Sequence, residues 1–176
     1  MPEKSRIVAC HGHDCTYKTT VELGGDAQKR FADIMARGAQ SAQAERAAIS
    51  DADQYYEELA FAAIGVRDQP QSGFATSGRK GQMDCIDEST NTRSLLRYLD
   101  ARGLLKYHSV QGNVSRGLLV DGRYPHSTAV IRDKATGDAA VGATVVATSP
   151  SLQGEQVVIT EEGGQYFITA LPPGNY

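Results

Sequence analysis

Apolar residues recur at two different spacings along the chain, and the switches between them divide it into elements. Near the amino end, residues 6–10 and 16–23 alternate in the manner of short strands on either side of a turn. The period then becomes helical. Residues 26–37 place Phe31, Ile34 and Met35 on one side and stop at Gly38. The Ala-rich stretch 41–64 puts Ile49, Ala52, Tyr56, Leu59 and Ala63 on a common side, with Ser50-Asp51 as a candidate break. Residues 65–80 carry Pro70, glycines and few large apolar side chains, so they read as a loop. A third helix starts at Cys85 and runs through Leu95, Leu96 and Leu99 to Gly103. Alternation returns over residues 106–110 and 116–120, a hairpin turn signal follows at Asp121-Gly122, and residues 124–132 form a third strand. The expected class is α+β: amino-terminal helices, with a cysteine-bearing helix packed on an antiparallel sheet, and then a carboxy-terminal all-β segment.

Where the third helix begins, local chemistry and local structure coincide. Asp84 is placed to cap it and Asp87 stands three residues on, in the capping-box position, which makes Cys85 the first helical residue. First-turn N–H groups and the helix dipole favour an anion, and the thiolate is the nucleophilic form of cysteine. On a helical wheel Cys85, Ser89, Thr92, Leu96 and Leu99 share a face. Asp84, Asp87 and Glu88 oppose ionisation of the thiol, so a nucleophile here needs a base. An inert, buried cysteine is the alternative. His126, just after Pro125 at the beginning of the third strand, is the first candidate for that base, and His108 on the preceding strand pair is its rival.

Composition narrows the partners. The 176 residues suffice for one domain, or one domain and a fragment, with a real core. A net charge of -3 gives no general basic footprint, which argues against nucleic acid. There is no 18-residue apolar run to span a membrane. Met1-Pro2-Glu3-Lys4-Ser5-Arg6 is charged but has no apolar stretch behind it, so no signal peptide is visible. Three cysteines cannot all pair, and at least one thiol stays free. Cys10-His11-Gly12-His13-Asp14-Cys15 carries zinc-type donors but no second ligand pair. A turn between two strands, with or without a local disulfide, is the simpler reading, and neither metal nor cofactor is expected. Gly73 to Gly81 superficially matches a phosphate-binding loop, but Arg79, Lys80 and Gly81 stand where that motif requires Lys and then Ser or Thr.

The order of cysteine at a helix start, strands, and a histidine about forty residues later resembles the transglutaminase-like, papain-like cysteine peptidase superfamily. The carrying residues are Gly81-Gln82-Met83-Asp84-Cys85-Ile86-Asp87-Glu88-Ser89-Thr90-Asn91-Thr92, Gly103-Leu104-Leu105 and Pro125-His126-Ser127-Thr128-Ala129-Val130, which look like a group of uncharacterised bacterial proteins. The resemblance covers roughly residues 6–133 and implies thiol-dependent acyl transfer on a peptide or protein amide. Cys85 would be the nucleophile and His126 the base, with the Cys85 backbone N–H and the Gln82 side chain at the oxyanion. It also implies an orienting acid on the next strand, within an Ala-Val-Asp-like motif. The chain departs from the pattern there, reading Ala139-Ala140-Val141-Gly142, with Asp133 as the nearest substitute. Without that acid a histidine acts as a base at much reduced rate, so a non-catalytic binding or structural module is the second expectation.

From Thr128 onward the chain looks like a second family, the carboxypeptidase-regulatory-like β-sandwich found at the start of many TonB-dependent receptors. The residues are Gly142-Ala143-Thr144-Val145-Val146-Ala147-Thr148, Gly164-Gln165-Tyr166-Phe167-Ile168 and Leu171-Pro172-Pro173-Gly174-Asn175-Tyr176. The domain reading is therefore 1–133 as a peptidase-like unit and 134–176 as a truncated, Ig-like β segment. That segment either completes the first unit's sheet or forms a loose hairpin. An extracytoplasmic location is implied by resemblance alone.

Overall fold

A computed structural model of the protein describes residues 5–65, 78–116, 126–138, 144–148 and 155–159. The hairpin turn expected at Asp121-Gly122, the strand beyond residue 116, Ala139 to Gly142, and the motifs after residue 160 lie outside the described residues.

The fold is mixed α+β, with three helices and small two-stranded antiparallel sheets among the described residues. Strands β1 (Arg6–His11) and β2 (Tyr17–Glu22) form a hairpin with Ile7 opposite Val21. Its inner face buries Ile7, Ala9 and Val21, while Val8 points outward, as a period of two requires. Helix α1 (Gly25–Arg37) buries Phe31, Ile34 and Met35, the three residues its spacing predicts. Gly38 ends it for a steric reason, since a Cβ there would stand 2.7 Å from Ala48 Cβ and 2.9 Å from Glu45 Cα. The missing side chain lets the end of α1 press against the next helix.

Helix α2 (Ala42–Ile64) is continuous, and no break occurs at Ser50-Asp51. Ser41 caps its start through Ala44 N–H at 3.0 Å, and Gly65 closes it in the left-handed conformation at φ 79°. Asp51 faces solvent and pairs with Arg37 at 3.1 Å. The buried stripe runs Glu45, Ala48, Ala52, Tyr56, Ala60, Ile64, a step of three and then steps of four. Ala52 and Tyr56 lie on it as expected, whereas Ala63 is exposed and Ile49 and Leu59 lie at the margins. The stripe opens on a glutamate, which an apolar pattern does not register.

Helix α3 (Cys85–Ala101) starts and stops where the sequence places it. Leu95, Tyr98 and Leu99 join the core contributed by β1, β2, α1 and α2. After it, β3 (His108–Val110) pairs with β6 (Ile131–Asp133), and β4 (Val114–Arg116) pairs with β5 (His126–Thr128). The expected third strand is thus two strands, interrupted at residues 129–130. Val110 faces Ile131 and Val114 faces Thr128, so three residues on one side oppose two on the other. Gln111 N–H still reaches Val130 C=O at 2.9 Å across this bulge. Strands β7 (Thr144–Thr148) and β8 (Glu155–Ile159) pair with each other.

Candidate functional site

The start of α3 is fixed by its own side chains. Asp84 Oδ1 accepts from Ile86 N–H at 3.1 Å and Asp87 N–H at 2.8 Å, and Asp87 Oδ2 accepts from Asp84 N–H at 3.3 Å, completing the capping box. Cys85 is therefore the first helical residue. Its thiol is free and the residue is half-buried.

Cys10 and Cys15 are joined in a disulfide, so their sulfurs are spent on each other rather than available as thiolate ligands. The loop they close runs through a left-handed stretch: Gly12 at φ 89°, His13 at 67°, Asp14 at 49° and Cys15 at 55°. Successive N–H groups in such a run converge on an anion, and here the anion is protein. His13 N–H and Cys15 N–H donate to the Asp87 carboxylate at 2.7 and 2.6 Å, and Asp14 N–H donates to Asp84 Oδ2 at 3.1 Å. One turn on, Asn91 accepts from Cys10 N–H at 2.6 Å and donates to Cys10 C=O at 2.8 Å. Asp84, Asp87 and Asn91 thus present one polar edge of α3 to the disulfide loop. Their spacing of three and four was visible in the sequence, but their partner was not.

Burial shifts two groups here. Asp87 is fully buried, and burial raises its carboxyl, against the lowering effect of the Cys15 N–H; the Asp84 charge raises it further, while the His13 and Asp84 N–H groups lower it. His11 is held below its ordinary value by burial, with Asp87 raising it and Lys80 lowering it. Gly81 N–H donates to His11 Nδ1 at 3.1 Å, which leaves Nε2 to donate to Thr19 Oγ1 at 2.9 Å and makes the ring a neutral spacer.

Gln82 is buried three residues before Cys85, and its side-chain oxygen has no hydrogen-bond partner among the described residues. Its backbone C=O accepts from Gly12 N–H, so the disulfide loop also holds the approach to the helix. His126 is the first residue of β5, opposite Arg116, and α3 packs on β5. Contact between them is made by Ser89 and Ser127, whose hydroxyls lie 2.9 Å apart, with Asn113 Nδ2 donating to Ser89 at 3.1 Å. Ser127 is the β5 residue that meets α3. Asp133 accepts from Ala135 and Thr136 N–H groups at 2.7 and 3.3 Å, which hold its carboxyl below the usual range. Its carboxylate organises a turn.

His108, the rival base, is fully buried and committed elsewhere. Glu45 accepts from its Nδ1 at 2.9 Å and from the Lys106, Tyr107 and His108 N–H groups at 2.5 to 3.1 Å. Arg46 Nη1 stands 3.4 Å from Nε2. Because arginine only donates, this arrangement assigns the ring proton to Nδ1. The imidazole fastens the start of β3 to α2. A glutamate four residues into an Ala-rich helix was the only sequence signal for this contact.

Among the described residues no group of three or more His, Cys, Asp and Glu side chains is placed to hold a metal ion, and no helix is long and apolar enough to cross a membrane. No protein-family model matches the chain, and no solved structure matches it. Over 37 residues the chain is 57% identical to the TonB-dependent transporter Oar of Myxococcus xanthus, a similarity that takes in 21% of this chain and 4% of that transporter.

Proposed function

We propose that the protein is a thiol-dependent acyl-transfer enzyme acting on peptide or protein amides, built on a transglutaminase-like, papain-like scaffold, with Cys85 as nucleophile and His126 as base. The observation that carries this reading is a free, half-buried thiol on the first residue of a capped helix. In the reaction the thiolate attacks the amide carbonyl carbon, and the tetrahedral oxyanion collapses with departure of the amine, which takes up the proton held by the imidazole. The resulting thioester passes its acyl group to water or to a second amine. The Cys85 backbone N–H and Gln82 are the groups assigned to the oxyanion. We assign this activity to residues 1–133 and the resemblance to a carboxypeptidase-regulatory-like module to residues 134–176, and the chain's short likeness to a TonB-dependent transporter is of the kind such a module has.

A second reading, a non-catalytic binding or structural module, is favoured by a specific observation. The β5 residue that meets α3 is Ser127, and Asp133 is committed to its turn. One experiment separates the two readings. Under the enzyme reading, iodoacetamide at pH 7 alkylates Cys85 at least tenfold faster than free cysteine, and the protein hydrolyses or cross-links amide substrates in a manner abolished by Cys85→Ala and by His126→Ala. Alkylation no faster than that of free cysteine, with turnover unchanged in Cys85→Ala, overturns it and leaves the binding module.

A further inference from the structure

We infer that the Cys10–Cys15 disulfide is a redox latch on the start of the helix that carries Cys85. Two features of the loop lead there, its backbone conformation and its grip.

The conformation is one that the chain does not hold unaided. Gly12, His13, Asp14 and Cys15 are all at positive φ, and three of them carry a Cβ that disfavours this region. A run of such residues persists only where the surroundings impose it, and two restraints are present. One is the covalent bond between Cys10 and Cys15. The other is the pair of carboxylates, Asp84 and Asp87, on which the loop's N–H groups converge.

The grip takes hold of Cys85 from both sides in sequence. Before the helix, Gly12 N–H donates to Gln82 C=O, Gly78 N–H donates to Gly12 C=O at 3.1 Å, and Gly81 N–H donates to His11. At the cap the partner is Asp84, and within the helix the partners are Asp87 and Asn91. Asp87 is completely shielded from solvent, so its charge is compensated by the loop's N–H groups rather than by water. Loop and first turn consequently change together. When the loop leaves the left-handed conformation, a buried carboxylate loses two donors and the first turn of α3 has to rearrange around it.

The covalent step is thiol–disulfide exchange with a dithiol reductant. One thiolate of the reductant attacks a sulfur of the pair, giving a mixed disulfide and one free cysteine thiolate. The reductant's second thiolate then displaces the other cysteine. Two electrons and two protons pass from the dithiol, which becomes a cyclic disulfide, to Cys10 and Cys15, which become thiols. An oxidising compartment keeps the latch closed and a dithiol-rich one opens it. As control over a nucleophile the inference rests on the reading of Cys85 given above, whereas the mechanical coupling of disulfide to helix start stands without it.

Amide hydrogen exchange on the full chain tests the coupling without reference to catalysis. Exchange is followed in the protein as purified without reductant, after treatment with dithiothreitol, and in the double variant Cys10→Ser/Cys15→Ser. The expected result is at least tenfold faster exchange at residues 12–15 and at the capped amides of Ile86, Asp87 and Glu88 in both opened forms. Exchange at Leu95 to Leu99 stays unchanged, and reoxidation restores the slow rate. Asp87→Asn, with the disulfide intact, speeds the same first-turn amides. Unchanged exchange at residues 86–88 on reduction overturns the latch. So does equal acceleration along all of α3, which makes the disulfide a global staple, and so does a count of three free thiols in the untreated protein. Failure of the acyl-transfer assay touches none of these outcomes, so the two proposals fall separately.

Discussion

The Cys15 backbone N–H donates to Asp87 Oδ1 across 2.6 Å, joining residues 72 positions apart and fastening the first turn of the cysteine-bearing helix to the disulfide loop. The shielded carboxylate also receives His13 N–H, so both donors lose their acceptor if it is removed. Asp87→Ala is expected to cost about 2–4 kcal/mol of unfolding free energy, since an orphaned buried polar group costs roughly 1–3 kcal/mol. Asp87→Asn, which keeps one acceptor oxygen, should cost about half as much. Urea denaturation at neutral pH checks this, and a loss below about 0.5 kcal/mol for the alanine variant contradicts the assignment.

Glu45 does for β3 what Asp87 does for the disulfide loop. Its carboxylate takes three backbone N–H groups and the His108 ring in a site closed to water. Truncation strands all of these donors at once, and Glu45→Ala is expected to destabilise the protein by about 3–5 kcal/mol, since each orphaned buried donor costs roughly 1–3 kcal/mol. Glu45→Gln should fall between this variant and the wild type. Thermal and urea midpoints of the three proteins measure the series.

Asp53 is expected to make the protein less stable as pH rises. Burial pushes its carboxyl up from 3.8 to about 6, Glu57 adds to this and the Thr92 hydroxyl at 3.3 Å opposes it. Because the folded form holds the proton more tightly than the unfolded form, this stability is fully present below pH 4 and is lost as pH rises through about 6. The difference amounts to roughly 3 kcal/mol. Asp53→Asn keeps an acceptor for Thr92 and removes the titration. The variant should match the wild type near pH 4 and exceed it in stability at pH 7.5. Equal stability at both pH values would sink the prediction.

His11 has the opposite sign. Its folded value is lowered by burial, so the stability linked to it is complete above pH 6.5 and declines as pH falls through the lower, folded value. Protonation at Nδ1 would also displace the Gly81 N–H and place two donors face to face. In an Asp53→Asn background, which removes the Asp53 titration, urea midpoints should drop between pH 7.5 and pH 5 less steeply once His11→Asn is added.

Much of the architecture could be read from period and punctuation. Phe31, Ile34 and Met35 fall inward because their spacing allows only one buried face, and Asp84 with Asp87 announces a helix start at Cys85 whatever lies around it. The reading of α2 holds at Ala52 and Tyr56, drifts by one residue towards the helix end and misses Glu45, and the strand expected over 124–132 is cut at residues 129–130. In each case a contact distant in sequence overrides a local rule: a glutamate is buried because three N–H groups meet it, and a strand breaks where its ladder passes from one partner to another across a bulge.

The candidate site divides along the same line. The sequence by itself determined that a cysteine opens a capped helix, because capping depends on residues three apart and on the orphan N–H groups of a single turn. Only the tertiary structure decided what surrounds that cysteine. It bonds Cys10 to Cys15, lays the resulting loop on Asp84, Asp87 and Asn91, gives His108 to Glu45 and sets Ser127 against Ser89. Those choices rest on which distant polar groups find complementary partners once water is excluded. Hydrogen-bonding capacity is written into each residue, but the identity of its partner emerges only when the chain closes on itself.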